Sequence, residues 1–151
     1  MSNFLQSVKY FNVTPPAAII DNASATTNSV DTLGFSKATF IVSLGALDIA
    51  VVALKLQESD TDSSYADVTG AIFGTSADPT GTTTTLPAAT DDNKMYAIFV
   101  NLNGRKRWLD MVITLGDGAA GTYVSCLCIL SGADEQLHTA TGLNLGQYLV
   151  V

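Results

Sequence analysis

The stretch MYAIFVNLNGRKRWLDMVITLGDGAAGTYVSCLCIL, residues 95–130, decides the fold. Its apolar residues recur with period two, the spacing of a strand and not that of a helix. Over residues 95–102, Tyr96, Ile98, Val100 and Leu102 share one face and Met95, Ala97 and Phe99 the other. A strand apolar on both faces reads as central in its sheet, or as meeting a neighbouring subunit. Asn103-Gly104 follows at once, and Asn-Gly favours a type I′ hairpin turn because both residues tolerate positive φ. The chain is therefore expected to return beside this strand over residues 107–115, with Leu109, Met111, Ile113 and Leu115 on one face. Gly116-Asp117-Gly118 then turns it into residues 122–130. There Val124, Cys126, Cys128 and Leu130 make one face, and Tyr123, Leu127 and Ile129 supply much of the other.

The same alternation runs upstream. Ala38, Phe40, Val42 and Leu44 fall on one face of a strand at 38–44, and Ala50, Val52, Leu54 and Leu56 on one face of a strand at 49–57. Gly45-Ala46-Leu47-Asp48 lies between them, a length that suits a hairpin loop. A short strand at 65–73 is broken by Gly70, and the Thr-, Asp-, Pro- and Gly-rich residues 74–93 read as a long loop, of the kind that commonly binds something. Within it, Thr82 to Thr85 has high β-propensity without amphipathic pattern and is a candidate exposed strand edge. No amphipathic helix is expected. Short strands separated by turn signals give an all-β fold of about seven or eight strands, a β-sandwich that is jelly-roll-like or a related barrel. The whole of residues 1–151 reads as a single β domain, with core strands at 38–130. An extended N-terminal arm is expected at 1–14 and an extended C-terminal segment at 143–151.

Composition narrows the function. A chain of 151 residues buries about 68–70% of its unfolded surface and needs no metal or disulfide to hold it. Charged residues are 14% against a usual ~25%, so either Ser, Thr and Asn cover the surface or partner subunits do. A net charge of −7 argues against a nucleic-acid partner, since phosphate binding needs clustered Lys and Arg. The single basic cluster, Arg105, Lys106 and Arg107, falls in an expected turn and reads as a solvated tip. Cys126 and Cys128 alternate along one strand face and read as small core hydrophobes. The first residues lack a basic n-region and a long apolar stretch, so neither a signal peptide nor a membrane span is expected, and synthesis in a cytoplasm is.

No catalytic signature is present: no nucleophile elbow, P-loop or dinucleotide fingerprint. His138, the lone histidine, lies near Ser131, Asp134 and Glu135 in sequence, but closeness along the chain does not make a triad. Asp60-Thr61-Asp62, with Asp67 nearby, resembles the start of a calcium loop, yet Tyr65 and Ala71 stand where an EF-hand needs Gly and Glu. The plain reading is a turn whose Asp and Ser side chains cap backbone N–H groups. No enzyme activity, cofactor or metal is expected.

One order of motifs is familiar. Residues 38–48 end a strand in Gly45-Ala46-Leu47-Asp48; Leu56-Gln57-Glu58-Ser59-Asp60 makes a turn; Tyr65-Ala66-Asp67-Val68 opens the next strand. Arg107-Trp108-Leu109 and Thr114-Leu115-Gly116 follow, with Trp108 where Tyr is usual. Over roughly residues 30–133 this order resembles the small head decoration (cement) proteins of tailed bacteriophages, encoded near the major capsid protein. The resemblance implies a virion structural protein on the phage head surface, with the major capsid protein as partner. It also implies self-association, often as a homotrimer, at places where capsid subunits meet. The extended ends would then add strands to neighbours, through Phe4, Val8 and Tyr10 at one end and Tyr148, Leu149 and Val150 at the other. Two other classes stay open: a receptor-binding or fibre-associated β-domain whose 74–93 loop carries specificity, and a hydrolase centred on His138.

Overall fold

The period-two segments form strands, and the apolar face of each is turned inward. The structure is a computed structural model and describes residues 7–134 and 140–149. Its strands are β1 (Val8–Thr14), β2 (Ile19–Ile20), β3 (Val30–Asp31), β4 (Lys37–Leu44), β5 (Ala53–Ser59), β6 (Ala66–Ile72), β7 (Met95–Asn101), β8 (Trp108–Thr114) and β9 (Thr122–Ser131). They make two antiparallel sheets. One runs β1-β9-β4-β7 with β2 also on β9, and the other runs β3-β8-β5-β6. Apart from β5–β6, the successive strands from β4 to β9 lie in opposite sheets. With β2 set aside, eight strands in two sheets with this crossing order form a jelly roll.

The core fills the space between the sheets. Phe40 and Val42 from β4, Cys126, Cys128 and Leu130 from β9, Leu54 and Leu56 from β5, and Leu109, Met111 and Ile113 from β8 are all buried there. These are the faces expected from alternation. The strand at 49–57 begins late, however. Residues 45–52 carry the chain from one sheet to the other, so Val51 is buried with its N–H on the Pro87 carbonyl, whereas Val52 is 59% exposed.

Both expected hairpins are therefore crossings. β4 and β5 are not neighbours, and neither are β7 and β8. Residues 102–107 are long enough to bridge the ~10 Å between stacked sheets, which lets the apolar faces of β7 and β8 meet a common core. The turn itself is also different. The Arg105 N–H donates to the Leu102 carbonyl at 3.0 Å, Gly104 has φ +77°, and Asn103 keeps a negative φ. Positive φ at the third turn residue alone is the signature of type II, not type I′. Gly70 does interrupt β6, at φ +86°, where the β5–β6 register shifts.

β7 is an edge strand, not a central one. The expected N-terminal arm is likewise corrected over its described part: residues 8–14 are β1, hydrogen-bonded along β9 within this sheet. A register shift between Asn12 and Thr14 adds one residue, so Val13 and Thr14 are both buried. The expected extended C-terminal segment is corrected at its start, where the chain turns. Residues 140–145 fold into turns closed by Asn144 N–H on the Thr141 carbonyl and Leu145 N–H on the Ala140 carbonyl. Leu143 is buried, and its carbonyl accepts the Tyr10 N–H at 2.9 Å. The Asn144 side-chain amide donates to the Tyr10 carbonyl at 2.7 Å. The segment thus caps the outer edge of β1.

Candidate protein-contact surface

The outer face of the β1-β9-β4-β7 sheet follows from register. Tyr10, Ile129, Thr39 and Phe99 form one row across it; Asn12, Leu127, Ile41 and Ala97 a second; Ser125, Ser43 and Met95 a third. Not one of these residues is charged. Phe99 is 79% exposed, Met95 71% and Leu127 38%; Tyr123, further along β9, is 52% exposed. Strand spacing and rise give the three rows a footprint on the order of 200 Å². Asn12, Thr39, Ser43 and Ser125 lie among the apolar residues, and the patch is no larger than those an ordinary monomer exposes. What singles it out is the lack of charge around Met95, Phe99 and Leu127 beside an open edge.

The edges of the two sheets differ sharply. β1 is capped by Leu143 and Asn144 as described, and β3 has only two residues. β6 carries the Gly70 irregularity and Asp67, which accepts from Lys55 Nζ at 2.8 Å and Gln57 Nε2 at 2.7 Å. Those donors hold the Asp67 carboxyl below the ordinary carboxylate range. β7, over Met95–Asn101, contains no charge and no Pro. Its second edge pairs with nothing among the described residues. A groove of about 430 Å³ runs beside that edge, lined by Ala97, Ile98 and Phe99 on one side and by residues 70–73, 76–79 and 84 on the other.

Elsewhere most of the basic side chains are paired internally. Arg107 donates to both Asp31 oxygens, from Nε at 2.8 Å and Nη2 at 2.7 Å, and this holds Asp31 below its ordinary value. Lys106 lies 3.4 Å from Asp60 and Arg105 3.6 Å from Glu58, so each member of the basic cluster faces an acid. The three aspartates of the calcium-like stretch diverge. Asp60 faces Lys106, Asp62 accepts the Tyr65 hydroxyl, and Asp67 faces Lys55. Burial and that bond to Asp62 push the Tyr65 phenol up to about 12. Among the described residues no three His, Cys, Asp or Glu come together as a metal would need. Cys126 and Cys128 are buried, and burial pushes the Cys126 thiol up to about 12. The 74–93 loop is tied to the sandwich. The Asp78 carboxylate accepts the amides of Thr80 and Thr82, and the Asp92 carboxylate accepts the Leu47 amide at 2.6 Å. Thr82 to Thr85 forms no strand, only the isolated bridge of Thr83 with Ala77.

No family model matches this chain, and no curated protein matches it. Among solved structures it is similar to the SPBc2 prophage-derived protein YomS, at 12% identity and a TM-score of 0.47 over 83% of this chain and 93% of that one. Overlap of that size fixes neither origin nor role.

The contact residues expected at the chain ends scatter. Val8 is fully buried within this chain and has no surface to offer, which corrects that expectation. Tyr10 is half-buried in β1 with its backbone engaged by residues 143–144. Leu149 is 91% and Tyr148 39% exposed. Phe4 and Val150 lie outside the described residues, as do Glu135 and His138 of the loose triad; Ser131 ends β9, and the Asp134 amide is held by the Gly34 carbonyl. The residues missed as a site are Met95 and Phe99. Their signal was the second apolar face of β7, which has no core to enter.

Proposed function

We propose that this is a non-enzymatic structural protein that works by binding other proteins, and that its setting is the surface of a tailed-phage head, as a decoration protein on the major capsid protein. The observation that carries the reading is the group of three rows on the outer face of the β1-β9-β4-β7 sheet. It holds no charge, exposes Met95, Phe99 and Leu127 and borders an open strand edge, with Lys37 only in the next row. Protein contacts are depleted in charge at their centre and enriched in Met and aromatic residues, and Met95, Phe99 and Tyr123 supply them here. The motif order over residues 30–133 supplies the capsid setting. The jelly roll agrees with it, since that fold recurs in capsid and lectin domains, although fold alone assigns no function.

The test is co-sedimentation with undecorated shells assembled from the major capsid protein encoded beside this chain. Saturable binding, weakened at least tenfold by Phe99→Lys with the fold intact, is expected. Absence of binding to shells together with binding to host cells or glycans would replace this reading with a receptor-binding one.

A further inference from the structure

We propose that β7 is a self-pairing edge: two copies join their β7 strands antiparallel about a two-fold axis at Ala97, making one continuous sheet. The backbone directions are fixed by bonds at the two ends of the strand. The Lys94 carbonyl accepts the Leu44 N–H, and the Leu102 N–H donates to the Ser36 carbonyl. Even-numbered residues therefore aim their main-chain groups at β4. The N–H and C=O groups of Met95, Ala97, Phe99 and Asn101 aim the other way, at an edge that no described strand occupies.

An unpaired edge is a hazard that proteins blunt with charge, Pro, irregularity or a cover. The edges of β1, β3 and β6 are blunted in those ways, and β7 is not. What fits such an edge is an uncharged strand apolar on both faces, and β7 is itself that strand. A two-fold axis at Ala97 sets Met95 opposite Phe99 of the second copy, twice, with the small Ala97 side chains meeting at the centre. The Met–Phe pairs gain sulfur–aromatic contact, and three residue pairs exchange main-chain hydrogen bonds. A groove lies beside the central residues Ala97, Ile98 and Phe99 of this edge. The contact is small. A strand about 24 Å long and ~12 Å deep covers on the order of 300 Å² per copy, against ~800 Å² for a standard interface. The dimer is therefore weak and exchanging in dilute solution, and is reinforced wherever copies are held close together. This goes beyond the capsid reading and does not rest on it: a protein that pairs in this way and binds no shell leaves the inference standing.

Single cysteines test the register. Two-fold pairing puts the Ala97 Cα atoms about 5.5 Å apart, within disulfide range, whereas the two Met95 positions lie roughly 13 Å apart. Under mild oxidation at ~100 µM protein, A97C is expected to cross-link at least ten times faster than M95C. An equimolar mixture of M95C and F99C should cross-link where either alone does not. The native Cys126 and Cys128 are buried and stay out of the reaction. Ala97→Pro removes an N–H that faces away from β4, so circular dichroism should be unchanged while concentration-dependent association in sedimentation velocity is lost. Equal rates for A97C and M95C, or a wild-type chain that sediments as a monomer up to ~1 mM, would overturn the proposal, and the cysteine arm decides it even if the proline variant fails to fold.

Discussion

Substitutions at Asn103 and Gly104 separate the type II turn from the type I′ turn that the Asn-Gly pair suggests. Gly104 sits at φ +77°, and a Cβ built there meets no heavy atom within 4 Å. Steric collision with the rest of the protein therefore drops out, and only the backbone penalty of a left-handed L-residue remains, about 1–2 kcal/mol. At 151 residues, 1 kcal/mol moves Tm by roughly 2–4 °C, so Gly104→Ala should lower Tm by about 2–8 °C. Gly104→Asn should lose less, because Asn tolerates that region. The decisive variant is Asn103→Ala. In a type II turn residue 103 keeps a negative φ, and the side chain is dispensable, so Tm should shift by less than ~2 °C. In a type I′ turn an alanine at position 103 would carry the same left-handed penalty as one at position 104. Paired differential scanning calorimetry on both alanine variants checks this. Equal losses at the two positions would refute the turn, and with it the crossing between sheets that the turn makes.

Leu143→Ala should cost about 2–4 kcal/mol in urea unfolding, because Leu143 is 1% exposed and packs where the C-terminal turns cap β1; a cost under ~0.5 kcal/mol would mean that the cap is not formed. Asp31 is held below its ordinary value chiefly by its bond to Arg107. Its contribution is therefore complete above the unfolded carboxylate pKa and disappears as pH falls through the lower folded one. Asp31→Asn should cost up to ~1 kcal/mol at pH 7, given how exposed the pair is, and the cost should shrink as the pH falls through the lowered folded value. Asp110 runs the opposite way. Burial raises its pKa, so its cost grows as pH rises through the folded value. Asp110→Asn should therefore be more stable than wild type at pH 7 and equal to it in strong acid.

Alternation told which face of β4, β5, β8 and β9 is buried, because that depends only on period two, and Phe40, Leu54, Met111 and Cys128 lie where it puts them. It did not tell which strand lies beside which. Asn103-Gly104 carries the same letters in a hairpin and in a crossing, and only the length of residues 102–107 distinguishes them. β2 and β3, at two residues each, are too short to show a period. β1 was hidden by the shift between Asn12 and Thr14, which breaks the alternation. The contact surface was half legible. The two apolar faces of β7 were plain in residues 95–102, but edge position is a property of the assembled sheet. The chain ends drew attention because they are apolar, and Val8 and Leu143 are apolar because they are buried within this chain.

The most direct test of the structural role is the stability of the particle. DNA-filled heads lacking this protein are heated with and without it, and DNA release is followed by dye fluorescence. If the protein cements the head, adding it raises the release temperature, and the rise saturates with binding. Phe99→Lys should abolish the rise at the same concentration. A release temperature unmoved by saturating protein would contradict the structural role.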